Sequence, residues 1–142
     1  MSEIFIATIW PFAEKRITEI RQVIEKYHPI LEVKKFKFST TWPRIVDGIY
    51  ADDKIKKNRY IEKIEALAKC PRYVYLIYIA VNNPNYRFKD DGRKLSKTME
   101  ALKKIVRRRF GSKKIANQNP IHIPDNLAHC NNYAKFLETV CI

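Results

Sequence analysis

Hydrophobic positions along this chain follow two periods, and the first of them is typical of β-strands. Short β-branched or aromatic runs, and one segment in which apolar residues alternate with Glu and Lys, are bounded by prolines or polar turn residues. The predicted strands are 4–9, 30–38, 73–81 and 121–123. The second strand is expected to have a solvent-exposed, basic face. Its alternation of apolar and polar residues is interrupted at Lys34 and Lys35, which predicts a bulge there.

The second period, of three and four residues, predicts amphipathic helices between the strands. The predicted helices are 14–27, a short helical turn at 42–50, 60–68, 95–110 and 127–140. Asp125 or Asn126 can cap the last helix, because a short side-chain oxygen there accepts a backbone N–H that the helix leaves unpaired. The segment 87–92 is polar and predicts a loop.

The order of these elements, β-α-β-α-α-β-α-β-α, predicts an α+β fold. We expect a ferredoxin-like α/β sandwich, a four-stranded mixed or antiparallel sheet with helices packed on it, as a single domain over residues 1–142. The run 73–81 is apolar on both faces. It therefore predicts a central strand that is covered on both sides or has one side in a homo-oligomer interface.

The chain carries a formal net charge of +13, from 28 Lys and Arg against 15 Asp and Glu. Such a surplus attracts polyanions: nucleotides, nucleic acid or an acidic membrane face. No apolar run approaches the roughly 20 residues of a membrane helix, so no membrane span is expected. Three cysteines without a secretory signal predict reduced thiols and a cytoplasmic protein. The spacing of these cysteines matches no zinc signature, so no metal ligand is predicted.

Candidate chemistry is concentrated late in the sequence. His122 lies in the short strand before the last helix, downstream of a cationic segment that runs from Lys103 to Arg109 and continues at Lys113 and Lys114. Neither GxxxxGK[ST] nor GxGxxG occurs, so any phosphate binding must come from side chains and not from a glycine loop. A reactive imidazole beside phosphate-binding cations is one interpretation. The other is that His122 is an ordinary strand residue.

Four polar residues near the end of the chain have a characteristic spacing. Arg109, Asn119, His122 and Asp125 are separated by ten, three and three residues. In element order and in this spacing the chain resembles the nucleoside diphosphate kinases, whose catalytic His lies in a His-Gly-Ser-Asp turn before a helix. The turn reads His-Ile-Pro-Asp here, and Trp10 stands where that family has a phosphate-binding Lys.

The resemblance implies a nucleotide- or phosphate-ligand-handling protein, kinase-like, with phosphoryl transfer through a histidine. His122 would be the catalytic residue and would attack a terminal phosphoryl group. Mg²⁺ with a nucleoside triphosphate is the implied cofactor. Asp125 is favoured as a helix cap over a catalytic group.

The resemblance also implies a set of residues that bind phosphate or nucleotide. They are Tyr50, Arg59, Arg107, Arg109 and Asn119. Arg109, or its neighbours Arg107 and Arg108, would neutralise the phosphoryl oxygens. Asn119 would donate to a phosphate or sugar oxygen. Tyr50 and Arg59 would cradle the base and phosphates. The alternative for the arginine triplet is a solvated helix end that the helix dipole favours.

Two other functions are compatible with the sequence. The first is a non-catalytic RNA- or DNA-binding module, in which basic residues interleaved with aromatic ones supply charge and stacking surfaces. Its candidate residues are Lys34, Lys35, Lys37, Tyr73, Tyr75, Tyr86, Arg87, Phe88, Lys89 and Arg93. The second is an assembly or inhibitory protein whose basic surface meets an acidic partner.

Overall fold

The computed structural model describes residues 2–53, 55–111 and 119–142, which alternate between strands and helices. The strands are β1 (Glu3–Ile9), β2 (Ile30–Lys37), β3 (Tyr73–Val81), β4 (Tyr86–Phe88), β5 (Lys94–Ser96) and β6 (Ile121–His122). The helices are a 3-10 helix (Pro11–Arg16), α1 (Ile17–Glu25), α2 (Trp42–Ile49), α3 (Lys57–Ala68), α4 (Lys97–Phe110) and α5 (Leu127–Val140).

Four of the strands form one sheet in the order β2-β3-β1-β6, and every neighbouring pair is antiparallel. This order, with helices packed on the sheet, confirms the predicted α+β, ferredoxin-like architecture. Strand β3 lies inside the sheet between β2 and β1, as its apolar sequence predicted. Strand β6 pairs with β1 at the edge of the sheet, which places His122 opposite Thr8.

Both faces of β1 are covered. Thr8 is fully buried, and its Oγ1 lies 2.6 Å from the phenol oxygen of Tyr133 on α5. Successive side chains of a strand point to opposite faces, so α5 covers the face that carries Thr8. Phe5, Ala7 and Ile9, on the opposite face, are each fully buried too. The core therefore extends above and below the sheet, and β6 pairs with β1 at its edge.

The edge strand β2 differs in one detail from its prediction. Its pairing with β3 is irregular between Ile30 and Glu32, and it is regular at Lys34 and Lys35, where the alternation had predicted a bulge. Both lysines are exposed, because an edge strand with one covered face tolerates consecutive polar residues. The predicted basic, wet face is present.

The segment after β3 is a hairpin, and its prediction as a loop was wrong. Strands β4 and β5 pair antiparallel, and the turn between them contains Gly92 with φ of 85°, a backbone conformation that glycine adopts without strain. Leu95 belongs to β5, so α4 begins two residues later than expected, at Lys97. Ser96 caps it by accepting a hydrogen bond from the backbone N–H of Met99.

Helix α5 spans the predicted residues and begins at its predicted cap. The side-chain oxygen of Asn126 accepts a hydrogen bond from the backbone N–H of His129 at 2.9 Å. Asn126 is therefore the cap, and the capping role favoured for Asp125 was wrong. No helix in the described ranges is long and apolar enough to cross a bilayer. Lys113 and Lys114 of the predicted cationic segment lie outside the described residues.

Candidate functional site

A polar cleft with two connected lobes opens beside β6. The lobes have volumes of about 280 Å³ and about 580 Å³. Tyr50, Ile55 and Lys56, from the segment between α2 and α3, line both lobes, as does Arg107 of α4. The first lobe adds Arg59, Lys63 and Asn119, and the second adds Asp53, Lys89, Arg93, Lys103, His122 and Asp125. We refer to these two lobes as the cleft.

Three cations of the first lobe come from two helices, and Lys56 lies just before α3. Arg59 and Lys63 are four residues apart on α3 and so share one face of that helix. Arg107 projects from α4, and its Nε has no hydrogen-bond partner in the described part of the chain. Tyr50 follows the last residue of α2 and lines both lobes. Burial raises the pKa of Tyr50 to about 12, so its phenol keeps its proton at neutral pH.

His122 lies at the inner end of the second lobe. Its side chain is only 5% exposed, and its ring packs edge-on against Tyr50 with centroids 4.8 Å apart. Burial lowers the pKa of His122 to about 4, against the opposing effect of Asp53. The imidazole is therefore neutral at physiological pH and retains a nitrogen lone pair.

Asp53 lies between two histidines. One of its oxygens is 2.9 Å from Nδ1 of His129. The other is 3.5 Å from Nε2 of His122. This second distance allows an electrostatic contact but is too long for a good hydrogen bond. Burial opposes ionisation of Asp53, but its interactions with the two histidines keep its pKa below the ordinary range. Asp53 therefore carries the negative charge that faces Nε2 of His122.

A second carboxylate borders the same lobe. Asp125 lies 3.3 Å from Nζ of Lys103 and 3.7 Å from a guanidinium nitrogen of Arg93. Burial and the nearby negative charge of Asp53 raise the pKa of Asp125. The role of Asp125 is thus to pair with cations of α4 and of the β4–β5 hairpin.

Lys63 is the most deeply buried cation of the cleft, with 3% of its surface exposed. Its Nζ lies 4.3 Å from the ring centroid of Trp10 and 5.9 Å from that of Tyr50. Burial, reinforced by the positive charge of Arg107, lowers the pKa of Lys63 to about 7. It forms no ion pair with a carboxylate among the described residues.

The structure brings five of the six predicted site residues together. Tyr50, Arg59, Arg107, Asn119 and His122 line the cleft. The sixth, Arg109, is exposed, lies over the ring of its neighbour Phe110 and does not line the cleft. Arg107, two residues earlier on α4, lines both lobes.

Asp53 and Lys63 were not predicted from the sequence as residues of the site. A signal for Lys63 was present, since it falls among Tyr60, Ile64 and Leu67 in the apolar stripe of α3, where a solvated lysine does not belong. Asp53 follows Tyr50 by three residues in an irregular segment, and no local pattern brings it to a histidine near the other end of the chain.

The acidic group of the second lobe fits a hydrated Mg²⁺ poorly. Asp53, Asp125 and His129 each place a ligand atom within 4.8 Å of the others. However, Asp125 is already paired with two cations and Asp53 with a histidine. Mg²⁺ prefers oxygen ligands and retains several waters, so these residues form no ready-made magnesium site.

The fold and the cleft define a ferredoxin-like α/β protein with a cationic, histidine-containing cavity. The structure is similar to that of the nucleoside diphosphate kinase of Aquifex aeolicus, with a TM-score of 0.62 over 96% of this chain and 95% of that one. Identity is 15%, so this likeness shows the fold alone. No protein-family model matches the chain, and no curated protein matches it.

Proposed function

We propose that the cleft binds the phosphates of a nucleotide and that His122 accepts a phosphoryl group from it. The observation that carries this proposal is the junction of the two lobes at Tyr50 and Arg107. Through this junction a neutral imidazole and a group of buried or half-buried cations share one cavity. A neutral imidazole is a nucleophile, and the cations supply the charge that a transferring phosphoryl group requires.

In this proposal the two ring nitrogens of His122 have different roles. Nε2 is buried and faces the Asp53 carboxylate. A proton on Nε2 would therefore point toward a negative charge, which leaves the lone pair on Nδ1. Nδ1 is accordingly the atom that forms the bond to phosphorus.

In the transfer step, a bond forms between Nδ1 and the γ-phosphorus while the bond from that phosphorus to its bridging oxygen breaks. The nucleoside diphosphate leaves with the electron pair. The proton stays on Nε2, where Asp53 balances the positive charge that develops on the ring. Arg107 neutralises the phosphoryl oxygens as charge spreads in the transition state. Mg²⁺ that arrives with the nucleoside triphosphate would supply further neutralisation of the phosphates.

Radiolabel transfer tests this proposal. Incubation with γ-radiolabelled ATP or GTP should give wild-type protein an acid-labile, alkali-stable label, and His122→Gln should abolish it. His28→Gln is the matched control, because His28 lies beyond α1 and does not line the cleft, so this variant should label normally. Absence of label with all common nucleoside triphosphates would refute phosphoryl transfer.

Asp53→Asn tests the assignment of the reacting nitrogen. Loss of the charge that faces Nε2 should slow labelling by about tenfold to a hundredfold, while nucleotide affinity changes little. Equal labelling rates in the variant and the wild type would show that Asp53 does not position the ring.

The nucleic-acid alternative is less well supported by the placement of its residues. Tyr73 and Tyr75 both donate hydrogen bonds to the carboxylate of Glu14, and Lys35 lies over the ring of Tyr73. These rings are therefore engaged within the protein. Salt dependence separates the two functions: affinity based on six or more phosphate contacts falls by roughly 10³ or more between 50 and 200 mM salt, whereas a pocket for one triphosphate should lose much less.

A further inference from the structure

Lys63 and Arg107 lie on different helices and line the first lobe, and none of the described residues that line this lobe is a carboxylate. Both side chains line this lobe, and burial together with the positive charge of Arg107 lowers the pKa of Lys63. Arg107 keeps an unpartnered Nε, and Trp10, the ring under Lys63, keeps an unpartnered indole N–H, within the part of the chain that the structure describes. Buried charges are normally paired, yet neither cation forms an ion pair with a carboxylate among the described residues.

The aromatic rings position the ammonium but do not replace that counter-charge. Trp10 and Tyr50 offer their faces to Nζ of Lys63, and such contacts stabilise a cation in a partly dry site. Both rings lie within about 6 Å of the Lys63 ammonium. The lysine is thus preorganised for a negatively charged group that comes from outside the protein.

We propose that Lys63 is the direct receptor for phosphate oxygens of the ligand and completes a three-cation clamp with Arg59 and Arg107. This inference rests on the proposed function only in taking a phosphate-bearing ligand. A dianionic phosphate between these side chains would pair the ammonium with a charge and give Nε of Arg107 an acceptor. The ligand class is a polyphosphate, with or without a nucleoside.

Binding should then be linked to protonation of Lys63. The charged or titratable groups that face it are Arg59 and Lys56 at the start of α3, Arg107 on α4, Tyr50 after α2 and His122 on β6. A bound phosphate opposes the effect of burial and raises the pKa of the ammonium. At pH 8 the free protein has largely released this proton, so binding should take up roughly 0.5 to 1 proton per ligand.

Calorimetric titration in buffers of different ionisation enthalpy measures that proton uptake. ATP and inorganic tripolyphosphate are the two probes, at pH 8 and fixed salt. Wild-type protein should take up a proton with both. Lys63→Met, verified as folded by circular dichroism, should bind about tenfold or more weakly and take up none. Lys56→Met is the matched control, since this exposed cleft cation should weaken binding while the proton uptake persists.

The outcomes separate this inference from phosphoryl transfer. Unchanged proton uptake in Lys63→Met would overturn the role of Lys63, even where His122 becomes labelled. Proton uptake that depends on Lys63 without any label on His122 would support the clamp and refute the transfer step. If the wild type binds neither ATP nor tripolyphosphate, both ideas fail.

Discussion

Replacing Lys63 with methionine should make the ligand-free protein more stable near neutral pH. The methionine retains most of the apolar stem between Trp10 and Tyr50, and thioethers pack well against aromatic rings. The substitution removes an ammonium that the folded protein buries without an ion pair among its described residues. Function, and not stability, would then account for the presence of a lysine at this position.

The size of the stability gain expected for Lys63→Met follows from the lowered pKa of Lys63. A fall from 10.5 to about 7, at 1.36 kcal/mol per pKa unit, sets an upper limit of about 5 kcal/mol on the cost of the charge. Loss of the cation–π contacts opposes the gain by roughly 0.5–2 kcal/mol. Water in the cleft reduces the cost of the charge further. We therefore expect Lys63→Met to raise the free energy of unfolding by about 1–3 kcal/mol at pH 6.

The gain must also depend on pH. Below about pH 7 Lys63 is charged in both the folded and the unfolded protein, so the folded state bears the whole cost. Between about pH 7 and pH 10.5 the unfolded chain keeps a proton that the folded protein has released, so wild-type stability rises with pH relative to the variant. The advantage of Lys63→Met should therefore shrink steadily across this range.

Urea unfolding at pH 6, 7.5 and 9 measures both effects, with Lys135→Met as the control. Lys135 is an exposed lysine in the middle of α5, and its replacement should change stability by less than about 0.5 kcal/mol at every pH. A variant at position 63 that is equally stable or less stable than wild type at pH 6 would show that the ammonium is well solvated. That result would refute the argument from burial.

Two further substitutions test the site and the packing. Arg107→Gln should weaken ATP binding by about tenfold or more. Arg109→Gln, which changes a side chain outside the cleft, should alter ATP affinity by no more than about twofold at fixed salt. Equal losses of affinity in the two variants would indicate a general charge effect. Gly48→Ala would place a methyl group against the ring of Phe136 on α5. Because this packed ring has to move, the substitution should lower the free energy of unfolding by about 1–3 kcal/mol. An unchanged urea midpoint would show that the ring moves freely.

Much of the fold could be predicted because its signals are local. Helix α5 combines a capping Asn126 with an apolar stripe, and β3 is apolar throughout, so both were placed correctly. The β4–β5 hairpin was not, because its strands have three residues each and carry Arg and Lys among the apolar residues. Its pairing depends on a turn at Gly92 and not on hydrophobic periodicity.

The site was predicted less well because its residues meet through tertiary structure. Spacing pointed to Arg109, but a shift of two residues rotates a helical side chain by about 200°, and Arg107 faces the cleft instead. Lys63 could have been noticed as a charge in an apolar stripe. Asp53 could not, since only the folded chain brings it to His122.

The central claim is that phosphates bind in the cleft beside a neutral His122, and NMR of the imidazole C–H resonances tests it most directly. The chain has three histidines, and His28, beyond α1, serves as an internal control. In the free protein the resonances of His122 should titrate with a pKa of about 4. Addition of ATP at pH 7 should shift the resonances of His122 and leave those of His28 in place. Unmoved His122 resonances at saturating ATP, or a titration of His122 near its ordinary pKa, would contradict the account.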